Sequence, residues 1–441
     1  VPEEGPGGEV PDGRGGLREP LRPRRGGRRQ VSRSLTLAAI GASVLVIASI
    51  VVSAWPGGTG LRRAGDPSPD ATTAAAFTGV YRIGALGDAG TGRGRDAVLA
   101  GSVARALADH GGGAGGSGGV ATPPLGVADL TAHKESTEPQ NGRLIAHWLE
   151  LEPGLTGVVG GDPALNLPES GLTSFRLPVV RACRHDGAGQ SPEPRYADTG
   201  ELRSSASTAD MGVVMARYLA AAPGVRKVYV RGDTAAGPTR ALVDRLLADG
   251  VEVHADDAGQ PADGIDRFQP DAVFLQGGAQ SLDTWLEQVE DSGFDGVKAM
   301  WDPTAPTCTG RNAAADGDFS VPDGWLTVRG HYDVRLDPDA DRRAAVRQAL
   351  GDDLATRPYA VETYDAARAM LSAWDTVSAA ERNSNEPDMA RAALAEALPT
   401  VPVRGTLGGW WTQLSQAEAH PVVWLDRREG GRWHQEAQQR R

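Results

Sequence analysis

From Val80 to Trp301 the sequence alternates two textures, and that alternation leaves the chain few architectures. Short apolar runs give way to stretches whose apolar residues recur at helical spacing. Val80–Leu86, Gly126–Leu130, Leu155–Val159 and Leu177–Ala182 read as strands, as do Lys227–Val230, Val251–Val253, Ala272–Leu275 and Val297–Trp301. Asp96–Asp109, Leu144–Leu151, Thr208–Ala222, Thr239–Asp249 and Leu282–Ser292 read as helices, the last two stopped by Gly250 and Gly293. Strand–helix alternation predicts parallel sheets with helices on both faces. In such sheets ligands meet the loops at the carboxyl ends of the strands. Gly161-Asp162, Asp233-Thr234, Gln276-Gly277 and Asp302 stand at those ends. A polar strand end also turns the chain and caps the next helix, so each has a structural reading beside the ligand reading.

The first 76 residues have a different character. Leu35–Ala54 is 20 residues without a charge. As a helix it is long enough for a hydrocarbon core of ~30 Å. Residues 1–34 hold eight arginines and five acidic residues, and Trp55 stands at the far edge. This pattern predicts a cytoplasmic Arg-rich tail at 1–34, a transmembrane helix at 35–55 and an extracytoplasmic remainder. A cleaved signal peptide is the other reading, because Val52-Ser53-Ala54 resembles a cleavage site. The long basic region and long apolar stretch favour the anchor. Residues 56–76 are small, polar and Pro/Gly-bearing, as expected of a flexible tether. The chain as a whole carries a net charge of −12, and residues 56–441 are more acidic than that. Such a body should repel nucleic acid.

Several chemistries are excluded or poorly supported. The only lysines are Lys134, Lys227 and Lys298, and none follows a glycine, so there is no Walker A loop. The eight histidines contain no His-Glu-x-x-His, and two cysteines form no Cys-x-x-Cys, so no metal site is expected. Gly115–Gly119 fits Gly-x-Ser-x-Gly, but within a glycine run rather than at a strand-to-helix elbow. Gly92–Ala97 fits Gly-x-Gly-x-x-Ala, yet its glycines begin too far past Leu86 for a tight pyrophosphate turn. Asp256-Asp257 and Asp352-Asp353 read as solvated turns and helix caps. No catalytic constellation and no cofactor motif is expected.

An ordered series of segments resembles the type I periplasmic binding proteins, in their branched-chain amino-acid-binding branch, which are ABC-transporter substrate-binding proteins. Ile83-Gly84-Ala85-Leu86, Gly157-Val158-Val159-Gly160 and Leu177-Pro178-Val179-Val180 resemble first-lobe strands. Leu202-Arg203-Ser204-Ser205 with Ala209-Asp210-Met211-Gly212 resembles the first hinge crossing and its helix. Lys227–Asp233 and Pro270–Gly278 resemble second-lobe strands and loops, Tyr364-Asp365-Ala366-Ala367-Arg368 the helix after the second crossing. Arg404–Leu407 with Pro421–Leu425 resembles the closing hairpin, where Trp410, Trp411 and Trp424 are expected in the core.

The resemblance implies two Rossmann-like α/β lobes joined by three hinge strands, near 203–207, 326–332 and 403–409. Lobe 1 is then 78–203 with 333–403, and lobe 2 is 208–326 with 409–437. It implies a small-molecule ligand closed between the lobes, and an ABC permease or membrane sensor as partner. Carried onto this chain, the ligand residues are Asp162, Cys183 and Arg184 from lobe 1, and Asp233, Thr234, Gln276 and Asp302 from lobe 2. Asp302 takes the acidic position that would hold an ammonium group. Arg184 is suited to a carboxylate or phosphate, or to solvent. The aromatic second-lobe positions of the amino-acid-binding members are here alanine, in Thr234-Ala235-Ala236 and Gly278-Ala279. On the same lobe map Cys183 and Cys308 face one cleft, as a possible disulfide or as two separate thiols.

Overall fold

The computed structural model describes residues 80–86, 93–112, 125–130, 148–160, 176–182, 201–234, 237–256, 264–302, 320–382, 384, 386–403, 405–407 and 422–440. The expected transmembrane helix and tether lie outside these residues, as do Asp162, Cys183, Arg184, Cys308, Gly115–Gly119, Trp410 and Trp411. No helix of the described residues is long and apolar enough to cross a membrane.

The described strands form two sheets. In the first, β1 (Tyr81–Leu86), β2 (Leu125–Asp129), β3 (Leu155–Gly160), β4 (Val179–Arg181) and β5 (Glu201–Arg203) run parallel in the order β2-β1-β3-β4-β5. All six residues of β3 are buried, as expected of a strand covered on both faces. The period of two splits its neighbours between two cores. Tyr81, Ile83, Val159, Val180 and Leu202 enter one, and Leu155, Val158 and Val179 join Trp148 and Leu130 in the other.

The second sheet holds β6 (Lys227–Arg231), β7 (Glu252–Asp256), β8 (Ala272–Leu275), β9 (Val297–Met300), β10 (Leu326–Arg329), β11 (Val422–Glu429) and β12 (Arg432–Arg440). Its order is β12-β11-β10-β9-β8-β6-β7, parallel except for the antiparallel β10-β11-β12 edge. Val228, Val230 and Phe274 face one core with helices α2 (Thr208–Ala221) and α3 (Gly237–Ala248). Tyr229, Val273 and Leu275 face the other, with the short α4 (Gly264–Phe268) and the amphipathic α5 (Ala279–Asp291).

Helix starts follow local chemistry. Ser207 caps α2 and forms a capping box with Asp210. Gly212 lets α2 approach α3 closely: a Cβ there would stand 2.2 Å from the Pro238 carbonyl oxygen. Helix α1 (Arg93–Gly112) starts three residues earlier than its apolar spacing suggests and takes in Gly94. Of the Gly92–Ala97 lookalike, Gly94 to Ala97 lie in this helix, and Gly92 lies outside the described residues. Asp256 departs from its reading as a solvated turn: its Oδ2 accepts the Tyr229 hydroxyl at 2.8 Å. Asp352 and Asp353 open the short α7 (Asp352–Ala355).

The chain passes between the sheets more than once. After β5 it leaves the first sheet for α2. After β10 it returns to build α6 (Ala340–Leu350), α7, α8 (Ala360–Thr376), α9 (Ala379–Arg382) and α10 (Pro387–Ala397). Residues of α6, α8 and α10 share the apolar core of Tyr81 and Ile83. Tyr81 packs its ring 5.0 Å from Trp374, and its hydroxyl donates to the Ser384 carbonyl, 303 residues away. Trp424 of β11, a strand of the second sheet, is buried in that same core and meets Tyr332 edge-on.

Candidate ligand loops and hinge

Strand order in the second sheet brings four of the sequence-expected residues to one sheet end. Asp302 follows β9, Gln276 follows β8, and Asp233 and Thr234 follow β6, and these strands are neighbours. The ends of β6 and β8 are close. The Gln276 amide donates to the Arg231 carbonyl at 2.8 Å, and a Cβ on Gly232, at φ +152°, would lie 2.6 Å from the Gln276 carbonyl oxygen. Only glycine fits that approach. Asp233 is exposed and Thr234 half-buried. The Gln276 side-chain oxygen is buried and accepts no hydrogen bond among the described residues. Beside it Arg231 lies over the Trp285 ring, 4.6 Å from its centroid, and donates to Gln288 at 3.2 Å. Asp302 is buried, its amide donating to Thr327 Oγ1 at 3.2 Å. In the first sheet Asp162 and Cys183-Arg184 follow β3 and β4 closely in sequence but lie outside the described residues.

The segments between the sheets carry a second constellation, made of buried charge. Arg329, at the end of β10, grips Asp426 of β11 through Nε and Nη2, the latter at 3.0 Å, and donates Nη1 to the His331 carbonyl at 2.8 Å. Both side chains are buried. A two-donor pair of this kind fixes geometry as well as charge. Burial raises the Asp426 carboxyl, with Arg329 opposing, and Asp302 and Asp333 add repulsion. Asp333 itself is held below the usual carboxylate range: burial pushes it up, but hydrogen bonds from Arg335 outweigh that. At the first crossing Arg203 donates to Asp210 at 2.7 Å, and the same oxygen accepts the Ser207 amide and hydroxyl, each at 2.9 Å.

All three connecting segments meet the start of α8. The Ser204 hydroxyl donates to the Glu362 carbonyl at 3.0 Å. The Tyr332 amide donates to Glu362 Oε1 at 2.7 Å. The Thr406 amide and hydroxyl donate to Asp365, the hydroxyl at 2.5 Å. Burial pushes Glu362 up to about 7, against the pull of the Tyr332 amide. Burial likewise pushes Asp365 up to about 6, against the Thr406 hydrogen bonds.

Solved structures share this architecture along most of the chain. Leucine-binding protein LivK of Thermotoga maritima superposes with a TM-score of 0.52 at 15% identity, covering 81% of this chain and 98% of that one. The branched-chain amino-acid substrate-binding protein LivJ of Streptococcus pneumoniae, solved with isoleucine, gives 0.54 at 13%, covering 82% and 99%. The chain has the type I periplasmic-binding fold. A solute-binding protein of an ABC transporter from R. palustris, solved with 4-hydroxybenzoate, shares that fold with a TM-score of 0.52 at 16% identity, covering 82% and 97%. No protein-family model matches the sequence, and no curated protein sequence does.

On this periplasmic-binding fold, the buried hinge charges are what sequence reading missed. A charge does stand in otherwise apolar runs at Leu326-Thr327-Val328-Arg329 and Val422-Val423-Trp424-Leu425-Asp426. Glu362 and Asp365 likewise share one face of an apolar helix. A charge inside such a run is the signal for a buried pair. Among the described residues no group of three or more His, Cys, Asp or Glu side chains is placed to hold a metal ion.

Proposed function

We propose that the chain is a solute-binding protein, held at the outer face of a membrane through residues 35–55, whose two lobes close on a small polar ligand. The observation that carries this reading is the structural match to solute-binding proteins, over 81–82% of this chain and nearly the whole of theirs. Polar groups gathered at the ends of β6, β8 and β9 support it. The mechanism is differential affinity: a ligand touching both lobes is held fully only when they are closed, so binding shifts the population towards closure. The role is recognition rather than catalysis. Delivery to an ABC permease or reporting to a membrane sensor are the two outputs in view. The neighbours' ligands, branched-chain amino acids and 4-hydroxybenzoate, make a small carboxylate the first class to try.

A second reading has its own observation. The second-lobe loops carry Thr234-Ala235-Ala236 and Gly278-Ala279 where an amino-acid site would bring aromatic cover, and a Cβ on Gly278 would meet nothing within 4 Å, while one on Gly277 beside it would meet the Trp285 ring at 2.9 Å. A binding-protein fold with so bare a loop suits an interaction module with a degenerate cleft. Thermal unfolding of the chain against amino acids, aromatic acids, peptides, sugars and nucleosides separates the two. A ligand at 100 times its Kd stabilises the fold by about 2.7 kcal/mol. One coherent class of shifts supports solute binding, and a cooperative melt that no compound moves supports the interaction module.

A further inference from the structure

Among the described residues, all three connecting segments are tied to the first two turns of α8. Ser204, Tyr332 and Thr406 each hydrogen-bond to it, through the Glu362 carbonyl, the Glu362 carboxyl and the Asp365 carboxyl. A rotation of one lobe against the other must turn these segments about that helix end. At the pivot Glu362 is 94% buried, since only 6% of its surface is exposed, and Oε2 accepts no hydrogen bond among the described residues. A carboxylate there has one oxygen served and one dry, which favours the protonated form. We infer that this turn is a proton-sensitive pivot: Glu362 holds a proton while the segments are packed on it and releases it to bulk water when they swing away.

The surrounding charges do not cancel the effect. Asp365, one turn on, repels the ionised form. Arg329 attracts it, but is already held by Asp426 and the His331 carbonyl. The helix N-terminus favours the anion, yet burial outweighs it and lifts Glu362 to about 7. The other elements packed on α8 bring charges that are engaged elsewhere. Asp109 of α1 accepts the Tyr364 hydroxyl at 2.6 Å, and Arg391 of α10 donates to the Leu155 carbonyl at 3.0 Å. Arg342 of α6 is paired with Asp337, which also accepts the Tyr332 hydroxyl. Asp352 and Asp353 of α7 pair with Arg347 and Arg357, and Arg181 ends β4. On α8 itself Arg368 stands 3.9 Å from Asp365.

The balance is one proton per closure. If the swung-apart form returns Glu362 to its ordinary 4.5, the ratio of swung-apart to packed form rises by at most roughly 300-fold from well below pH 4.5 to well above pH 7, about 80-fold of it between those two values. The proposal rests on the two-lobe reading of the fold, but its test needs no solute. Fluorescent labels carried by unnatural amino acids at the exposed Ala248 in α3 and Glu396 in α10 report lobe separation in the full chain. The wild-type separation should change between pH 4.5 and 7.5 and stay constant above. Asp365 is pushed up to about 6 on the same helix end, so the comparison is made in its absence: Asp365→Asn should keep a transition, moved to lower pH, and Asp365→Asn with Glu362→Gln should hold the low-pH separation throughout. Infrared difference spectra provide the second measurement: the protonated-carboxyl band that disappears over the same range in Asp365→Asn should be missing when Glu362→Gln is added. A separation indifferent to pH, a transition in Asp365→Asn that survives the addition of Glu362→Gln, or the absence of the band overturns the proposal. Any of these leaves the solute-binding reading standing, and a failed ligand screen leaves the pivot standing.

Discussion

Replacing Glu362 by glutamine keeps the shape of the side chain and an acceptor for the Tyr332 amide, but removes its titration. In the folded protein burial lifts this carboxyl from 4.5 to about 7. An unfolded chain therefore gives up the proton near pH 4.5, while the folded chain keeps it until about 7. Below both values the group does not alter stability with pH. As pH rises between them the unfolded state binds fewer protons than the folded state, so stability falls. At about 1.4 kcal/mol per pH unit the loss over this window is about 3 kcal/mol. Glutamine escapes it, at a fixed cost for an amide N–H2 set where Oε2 now has no partner. The stability of Glu362→Gln relative to wild type should thus climb by about 3 kcal/mol from pH 4 to pH 8. Urea unfolding at fixed ionic strength across that range measures it, against a total stability of about 5–15 kcal/mol for a typical domain. A difference that stays flat would mean that Oε2 is hydrated, and that the dry pivot does not exist.

Three further substitutions test the packing. Asp426→Asn leaves the Arg329 guanidinium buried beside a neutral partner, and should lower stability by about 3–5 kcal/mol in denaturant titration; an unchanged midpoint would show that water reaches the pair. Gly212→Ala puts a methyl 2.2 Å from the Pro238 carbonyl oxygen. It should lower the thermal midpoint by the equivalent of about 1–3 kcal/mol, although alanine favours helices over glycine by about 1 kcal/mol; a raised midpoint would refute the close approach of α2 and α3. Ser207→Ala removes the α2 cap and half of its capping box. The expected loss is about 1 kcal/mol in urea unfolding.

Much of the fold could be read from the sequence because two periods were clean. The run Ala272–Leu275 is a strand over the same residues in the structure, and Leu155–Val159 differs from its strand by one residue. Ala272–Leu275 is a continuous apolar run closed by a polar residue, and Leu155–Val159 is a β-branched-rich run closed by Gly160-Gly161, so the pattern leaves little else to form. Helix starts were harder. Apolar spacing put the first helix at Asp96, yet the backbone is helical from Arg93 and takes in Gly94. Of the candidate site, position along the chain was legible for Asp233, Gln276 and Asp302, because a strand's end is a local property. The Arg329–Asp426 pair was not, since the two residues are 97 positions apart and meet only through an antiparallel edge. Glu362 was hidden for a similar reason: its place in the hinge depends on Ser204, Tyr332 and Thr406 arriving from three separate segments.

The bond between Tyr81 and Ser384 has a consequence for how the molecule is made. β1, the first of the described strands, packs on residues 303 positions later. At about 5–20 residues per second, that partner is roughly 15–60 s away during synthesis. Until then β1 and β3 have no α8 or α10 over the face that those helices cover, while the second sheet's own strands and helices are translated in between. An early lobe that cannot finish before a late one begins must wait partly unfolded. A chain with this order buries Tyr81 and Trp424 fully only once residues near 384 and 424 have both been made.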